Sequence, residues 1–213
     1  MANSLLVNRL DAALPQTQCT RCGYPDCAAY AQAIAADDAP INQCPPGGAE
    51  GVARLAEISG RPAQPLNPAN GHESPRALAV IDENWCIGCT LCLDACPTDA
   101  ILGGNKMMHT VIETYCTGCE LCIPVCPVDC ISLENASGEH TGWQAWSQVQ
   151  ADTALQRYSR HALRHPQKTS SGDSEQEEQA HTPAAIAPVV EDKKRAMIEA
   201  ALARARAARQ PKP

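Results

Sequence analysis

The sequence predicts an α+β protein with a small helical N-terminal domain, a duplicated β–α–β domain, and a C-terminal extension that is partly helical and partly disordered. Two cysteine-rich runs lie thirty residues apart and nearly repeat each other's sequence. Four further cysteines lie upstream, near leucines at helical spacing. The chain has three tryptophans, four tyrosines and no phenylalanine in 213 residues, so it cannot build one large aromatic core. Small domains held together by metal are expected instead.

The N-terminal domain is predicted to span residues 1–60. Leu6, Leu10 and Leu14 recur at the spacing of one helix face, and the pattern stops at Pro15. Further helices are predicted over residues 27–36 and 49–59, the second closed by Gly60. Residues 61–76 then form a proline-rich linker in which no periodic pattern survives.

The duplicated domain is predicted over residues 77–135 and carries the two cysteine runs. Short strands are predicted before each run, at 77–81 and 110–112, and after the second run, at 131–133. The runs have the spacing C-x2-C-x2-C-x3-C-P, which is that of two-cluster bacterial ferredoxins. In that arrangement three close thiolates bind one 4Fe-4S cluster and the cysteine before proline binds the other cluster.

The predicted ligands follow from this cross-ligation. One cluster is assigned Cys86, Cys89, Cys92 and Cys126, and the other is assigned Cys116, Cys119, Cys122 and Cys96. Two structural zinc sites are the alternative, but zinc usually takes paired C-x2-C elements separated by a longer loop.

A ninth cysteine of this region, Cys130, falls on Ala100 when the runs are superimposed. A free buried cysteine behaves as a small hydrophobic residue. The repeat therefore predicts that Cys130 is a packing residue, with a ligand role as the alternative.

The upstream cysteines have a different pattern, in which Cys19, Cys22 and Cys27 are completed by Cys44. Four thiolates can close a metal site, and the spacing alone leaves an iron-sulfur cluster and a structural zinc equally open. Asp26 is predicted to cap the helix over 27–36, which places the Cys27 thiolate at a helix N-terminus.

The C-terminal extension has three predicted parts. A helix over 143–164 within the helical extension 136–166 is expected to pack over the duplicated domain, with recognition of a redox partner as the alternative. Residues 167–190 have the composition of a disordered tether. Residues 191–213 form a basic helix with seven Lys and Arg against three acids, on a chain of net charge −7. This helix is expected to fold back on the acidic body of the chain. The alternative is that it docks on an acidic partner or an anionic membrane surface.

Four segments, 14–25, 41–48, 80–90 and 108–111, resemble the B subunit of the Rnf/Rsx-type ion-translocating electron-transport complexes. The resemblance runs from about Asn8 to Leu133. It implies an N-terminal 4Fe-4S domain followed by a two-cluster ferredoxin, and hence three 4Fe-4S clusters in all. It also implies redox protein partners, among them the other subunits of such a complex.

Members of that family are tethered by an N-terminal membrane helix, whereas here only residues 1–7 precede the matching region. The longest apolar run is far short of the roughly 18 residues that mark a spanning helix, and no secretory signal is recognisable. The chain is therefore expected in the cytoplasm, with peripheral contact at the cytoplasmic face of the inner membrane as an alternative. Its thirteen cysteines are then kept reduced for metal.

No catalytic motif is present: the sequence lacks a G-x-G-x-x-G fingerprint, a P-loop and an H-E-x-x-H pair, and its six histidines are scattered. Nucleic-acid binding is not expected, since the basic tail has no aromatic stacking residues. Two functional classes remain. The chain either passes single electrons, as a subunit of an Rnf/Rsx-like complex or as a free-standing ferredoxin, or it is a zinc-stabilised scaffold.

Overall fold

A computed structural model describes residues 2–165 and has mixed helices and small sheets. The N-terminal part contains helices α1 (Ala2–Ala12), α2 (Cys27–Ala35) and α3 (Gly48–Ser59). Their apolar faces meet in one core that includes Leu10, Leu14, Tyr30, Ile34 and Leu55. None of the described helices is long and apolar enough to cross a membrane.

Local signals in the sequence set the ends of α2 and α3. Asp26 caps α2 by accepting a hydrogen bond of 2.7 Å from the backbone N–H of Ala29. Helix α3 ends at Gly60, which has a left-handed φ of 71°. Glycine adopts this conformation at little cost because it has no Cβ. Both residues lie where the sequence predicted them.

The cysteine runs lie among four short strands: β1 (Ala77–Ile81), β2 (Ile101–Leu102), β3 (Thr110–Val111) and β4 (Ile131–Asn135). Strand β1 pairs with β4 in an antiparallel register from Ala77 opposite Asn135 to Ile81 opposite Ile131. Strands β2 and β3 form a second antiparallel pair. Buried isoleucines of these strands pack against buried cysteines to make a small core.

The two runs differ in one helix. The first run contains a short helix, α4 (Leu91–Ala95), whereas the corresponding stretch of the second run forms only turns. In α4 the backbone N–H of Asp94 donates to Thr90 O, and thirty residues later Pro124 has no N–H to donate. The predicted second β–α–β helix is therefore absent from the part of the chain that the structure describes.

The C-terminal extension begins with a short 3₁₀ turn, Gly142–Gln144, and continues as helix α5 (Gln148–Arg164). The single helix predicted over 143–164 starts five residues later, because Ser147 and Gln150 form a capping box that fixes its first turn. Trp143 and Trp146, which precede α5, form a small buried cluster with Ala151 and Ala154 of that helix. The predicted tether, 167–190, and the predicted basic helix, 191–213, lie outside the described residues.

The proline-rich linker runs along the N-terminal helices. The backbone N–H of Asn67 donates to Asn42 O at 2.9 Å, and the Asn70 side chain donates to Arg21 O at 2.9 Å. Glu73 accepts hydrogen bonds from the backbone N–H of Ala49 and the hydroxyl of Thr141. The linker is thus held to its neighbours at several points.

Candidate metal centres

The twelve cysteines predicted as ligands line three cavities, four in each. The first cavity lies between α2 and the loops before and after it, and Leu14 and Tyr30 form part of its wall. Its cysteines are Cys19, Cys22, Cys27 and Cys44. All described cysteines are free thiols, so none is tied up in a disulfide.

The other two cavities lie within the duplicated domain, and each takes one cysteine from the opposite run. One is lined by Cys86, Cys89, Cys92 and Cys126. The other is lined by Cys116, Cys119, Cys122 and Cys96. The chain thus brings together the groups that the cross-ligated ferredoxin spacing predicted.

Glycines allow the loops to wrap these cavities closely. Gly88 and Gly118, thirty residues apart, have φ of +67° and +69°. A Cβ at Gly88 would lie 2.5 Å from the backbone nitrogen of Met107, and one at Gly118 would lie 2.4 Å from Ala77 O. Only glycine fits such positions, because a side chain would meet both the left-handed backbone and a neighbouring main chain.

Backbone N–H groups point at several of the sulfurs. Ala100 donates to Cys96 Sγ at 3.2 Å, and Ala79 donates to Cys116 Sγ at 3.5 Å. Such hydrogen bonds favour a thiolate and influence the reduction potential of a cluster that it binds.

His109 is a residue of this site that the sequence analysis missed. Its backbone N–H donates to Cys86 Sγ at 3.4 Å, and its ring Nδ1 lies 3.2 Å from Cys92 Sγ. The ring is fully buried, and its Nε2 lies 3.2 Å from Gly104 O. Scattered histidines gave no signal by spacing, and only its place in segment 108–111 of the family resemblance set it apart.

Without a cation the buried thiols resist ionisation. Burial, and then the neighbouring thiols, raise the pKa of Cys92 to about 11 and that of Cys122 to about 12. Burial also raises the pKa of Cys27 well above its usual value. A bound metal cluster offsets this cost, because its positive irons stabilise the thiolates.

The donor set of each cavity fits an iron-sulfur cluster. Four cysteine sulfurs are the usual ligands of a 4Fe-4S cluster, and soft thiolates also suit zinc. Among residues 2–165 no three His, Cys, Asp or Glu side chains are grouped to hold a single metal ion.

The N-terminal cavity adjoins the cavity of Cys116. Thr17 lines the first and Thr117 the second, and the Thr117 hydroxyl donates to Thr17 O at 3.0 Å. The Arg21 guanidinium pairs with the Glu120 carboxylate at 2.5 Å beside this contact.

Helix α4 connects the two cavities of the duplicated domain. Cys92 lines one cavity and Cys96 the other, at the two ends of this short helix.

Comparisons with known proteins identify both cysteine-rich parts. Residues 79–133 match the family model of a 4Fe-4S dicluster domain, and residues 14–46 match the model of a putative Fe-S cluster. Among curated relatives, the B subunit of the ion-translocating oxidoreductase complex of Azoarcus sp. (strain BH72) is 66% identical over 129 residues, or 61% of this chain and 70% of the relative. The chain belongs to the family of B subunits of the ion-translocating oxidoreductase complex.

Two other B subunits agree with this. That of Hahella chejuensis is 55% identical over 141 residues, covering 66% of this chain and 71% of its own length. That of Alkalilimnicola ehrlichii is 52% identical over 151 residues, covering 70% and 80% respectively. No solved structure matches the chain at a significant level.

The family resemblance stated from the sequence is thereby confirmed. The chain is a B-type subunit that carries electrons in an electron-transport complex, with 4Fe-4S clusters as its cofactors and other subunits of the complex as its partners. The prediction of a redox role is confirmed over the alternative of a zinc scaffold.

Proposed function

We propose that this B-type subunit holds three 4Fe-4S clusters and conducts single electrons through them in sequence. The observation that carries the proposal is the grouping of twelve cysteines into three cavities of four. The N-terminal cluster is held by Cys19, Cys22, Cys27 and Cys44. The two clusters of the duplicated domain have the cross-ligated sets given above.

Matched backbone conformations support a duplicated two-cluster ferredoxin as the second domain. The left-handed residues of the first run recur thirty residues later with nearly equal φ: Thr90 and Glu120 at 69° and 68°, Asp99 and Asp129 at 47° and 51°. Non-glycine residues adopt this region rarely. Two loops that share it at equivalent positions are therefore best explained as copies of one cluster-binding motif.

The contacts between cavities support one order for the proposed electron path. The N-terminal cluster adjoins the cluster of Cys116 across the hydrogen bond from Thr117 to Thr17, and that cluster adjoins the one of Cys86 across α4. Electron transfer is efficient only over short distances, so the cluster of Cys116 is the middle one of the three in the proposed path. The clusters supply the redox chemistry. The chain holds them next to one another and shields them from water.

The cluster of Cys86 is proposed as the end at which another subunit docks. Trp85 is 68% exposed and Ile87 57%, and both flank Cys86. Met107 is 64% exposed as well. It lies near the Cys86 loop, because the backbone N–H of the preceding residue, Lys106, donates a hydrogen bond to Gly88 O in that loop. Exposed apolar groups that cluster on one surface mark an interaction site. We place this docking at the cytoplasmic face of the inner membrane.

Anaerobic purification followed by iron, sulfide and zinc analysis tests the proposal. Three clusters predict about twelve irons and twelve sulfides per chain and no zinc. About eight irons with one zinc would instead make the N-terminal site a structural zinc site. As a check on the N-terminal ligands, Cys44→Ala should lower the iron content by about four, whereas an unchanged content would refute their assignment.

A further inference from the structure

The cavity of Cys86 has a fifth cysteine, which the assigned ligand set does not use. Cys130 lines this cavity too, and its Sγ lies 3.5 Å from Cys126 Sγ. Among the described residues, each of the other two cavities is lined by four cysteines. The repeat predicted a packing role for Cys130, but its sulfur lies among the proposed ligands.

We propose that Cys130 is a reserve ligand, able to take over from Cys126 on the iron that Cys126 binds. This inference rests on the proposed cluster at Cys86, Cys89, Cys92 and Cys126. The exchange needs no oxidant or reductant. The Cys130 thiol releases its proton as its sulfur binds the iron, and the Cys126 thiolate leaves the iron and takes up a proton.

The backbone already holds residue 130 beside the ligand that it would replace. In the first run, Ala100 lies four residues after Cys96 and its N–H donates to Cys96 Sγ at 3.2 Å. In the second run, Cys130 likewise lies four residues after Cys126, and its Sγ is 3.5 Å from Cys126 Sγ. The intervening left-handed residues, Asp99 and Asp129, differ in φ by only a few degrees.

At this position the two loops therefore differ by one thiol group. Ala100 presents a methyl group, whereas Cys130 presents a CH₂–SH at the same backbone position. A rotation of the Cys130 side chain can move its sulfur toward the iron while the main chain stays in place. Cys126 and Cys130 are both only partly buried, so Cys126 lies within reach of solvent reagents that would modify it.

The repeat supplies a matched pair of variants for the test. Cys126→Ala should keep about twelve irons per chain, because Cys130 replaces the lost thiolate, and Cys126→Ala/Cys130→Ala should fall to about eight. Cys96→Ala, where Ala100 stands at the position of Cys130 and supplies no thiol, should fall to about eight as well. Low-temperature electron paramagnetic resonance of the reduced protein should show an altered signal for the retained cluster in Cys126→Ala.

Grafting the cysteine tests whether position alone is sufficient. Cys96→Ala/Ala100→Cys should recover the irons that Cys96→Ala loses, while Ala100→Cys alone should keep the wild-type content. The proposal is overturned if Cys126→Ala loses as much iron as its double variant, or, where Cys126→Ala yields no folded protein, if the graft restores nothing. A wild-type chain lacking the cluster at Cys86 would refute the ligand assignment itself, and the reserve role with it.

Discussion

Gly118 and Gly138 form a matched pair for measuring how closely the chain packs around the cavity of Cys116. Both have a left-handed φ, +69° and +61°. A Cβ at Gly118 would lie 2.4 Å from Ala77 O, whereas one at Gly138 would have nothing within 4 Å. Alanine at Gly138 therefore meets backbone strain alone, and alanine at Gly118 meets strain and a collision with main chain.

The expected magnitudes follow from these contacts. The left-handed conformation costs a non-glycine residue about 1–2 kcal/mol at either position. At Gly118 the carbonyl of Ala77 must also withdraw by about 0.6 Å to reach the closest separation that real Cβ atoms show. Such overpacking adds about 1–3 kcal/mol. Ala77 belongs to β1, two residues before the Ala79 N–H that donates to Cys116 Sγ, so the displacement reaches the cavity.

Anaerobic thermal unfolding and iron analysis of the two variants measure the difference. Gly118→Ala should unfold at least about 2 °C below Gly138→Ala, since 1 kcal/mol corresponds to about 2–4 °C for a chain of this size. Gly118→Ala should also release iron faster on incubation, while Gly138→Ala should match the wild type. Equal midpoints and equal iron release would show that the close approach of Gly118 to Ala77 does not constrain the cavity.

Three further predictions concern single side chains. His109→Ala should shift the reduction potential of the cluster at Cys86 without changing the iron content, because the polar ring beside Cys92 Sγ is lost; an unchanged potential in a redox titration would contradict this. Partial burial raises the pKa of Asp99, but hydrogen bonds from His161 and Arg164 on α5 have the larger effect and lower that pKa overall. The contact between Asp99 and α5 therefore stabilises the fold above about pH 4, and this stabilisation is lost as the pH falls further. The unfolding midpoint of Asp99→Asn should accordingly lie below that of the wild type at about pH 5, and the gap should shrink below about pH 4; a gap of equal size at the two pH values would refute the charge argument. Trp85→Ser should slow electron exchange with the rest of the complex at unchanged iron content, whereas Leu163→Ser, which alters an 83% exposed leucine on α5, should not; equal rates for both would remove Trp85 from the docking surface.

Short-range signals in the sequence predicted much of the local structure. Asp26 and Gly60 act through residues within one helical turn, so their effects on α2 and α3 can be read from neighbouring positions. The cysteine spacing likewise fixes which thiols each loop can present to one point. Strand β1 lies at the residues predicted for it.

The misjudged elements depended on single residues that interrupt a pattern. Pro124 removes the one N–H that would extend a helix in the second run, although the two runs look alike. The loose apolar pattern predicts one helix from residue 143, but Ser147 starts α5 later and leaves Trp143 in a 3₁₀ turn and Trp146 in the connection before the helix. The repeat of the cysteine runs in the first case, and the apolar pattern in the second, continue past a residue that interrupts the helix.

The docking of the two iron-sulfur parts could not be predicted, because main-chain carbonyl groups accept several of the hydrogen bonds that hold them. Trp146 Nε1 donates to Pro15 O at 2.8 Å, Thr117 donates to Thr17 O, and Arg157 donates to the carbonyls of the loop that follows Cys96. Every residue has a carbonyl, so the acceptor side of such a bond leaves no mark in the sequence. Two of these donors, Trp146 and Arg157, belong to α5 or to the residues just before it, and they contact both parts. The extension predicted to cover the ferredoxin thus also contacts the N-terminal part, and it acts together with the contacts of Thr117 with Thr17 and of Arg21 with Glu120, which lie within the cluster loops.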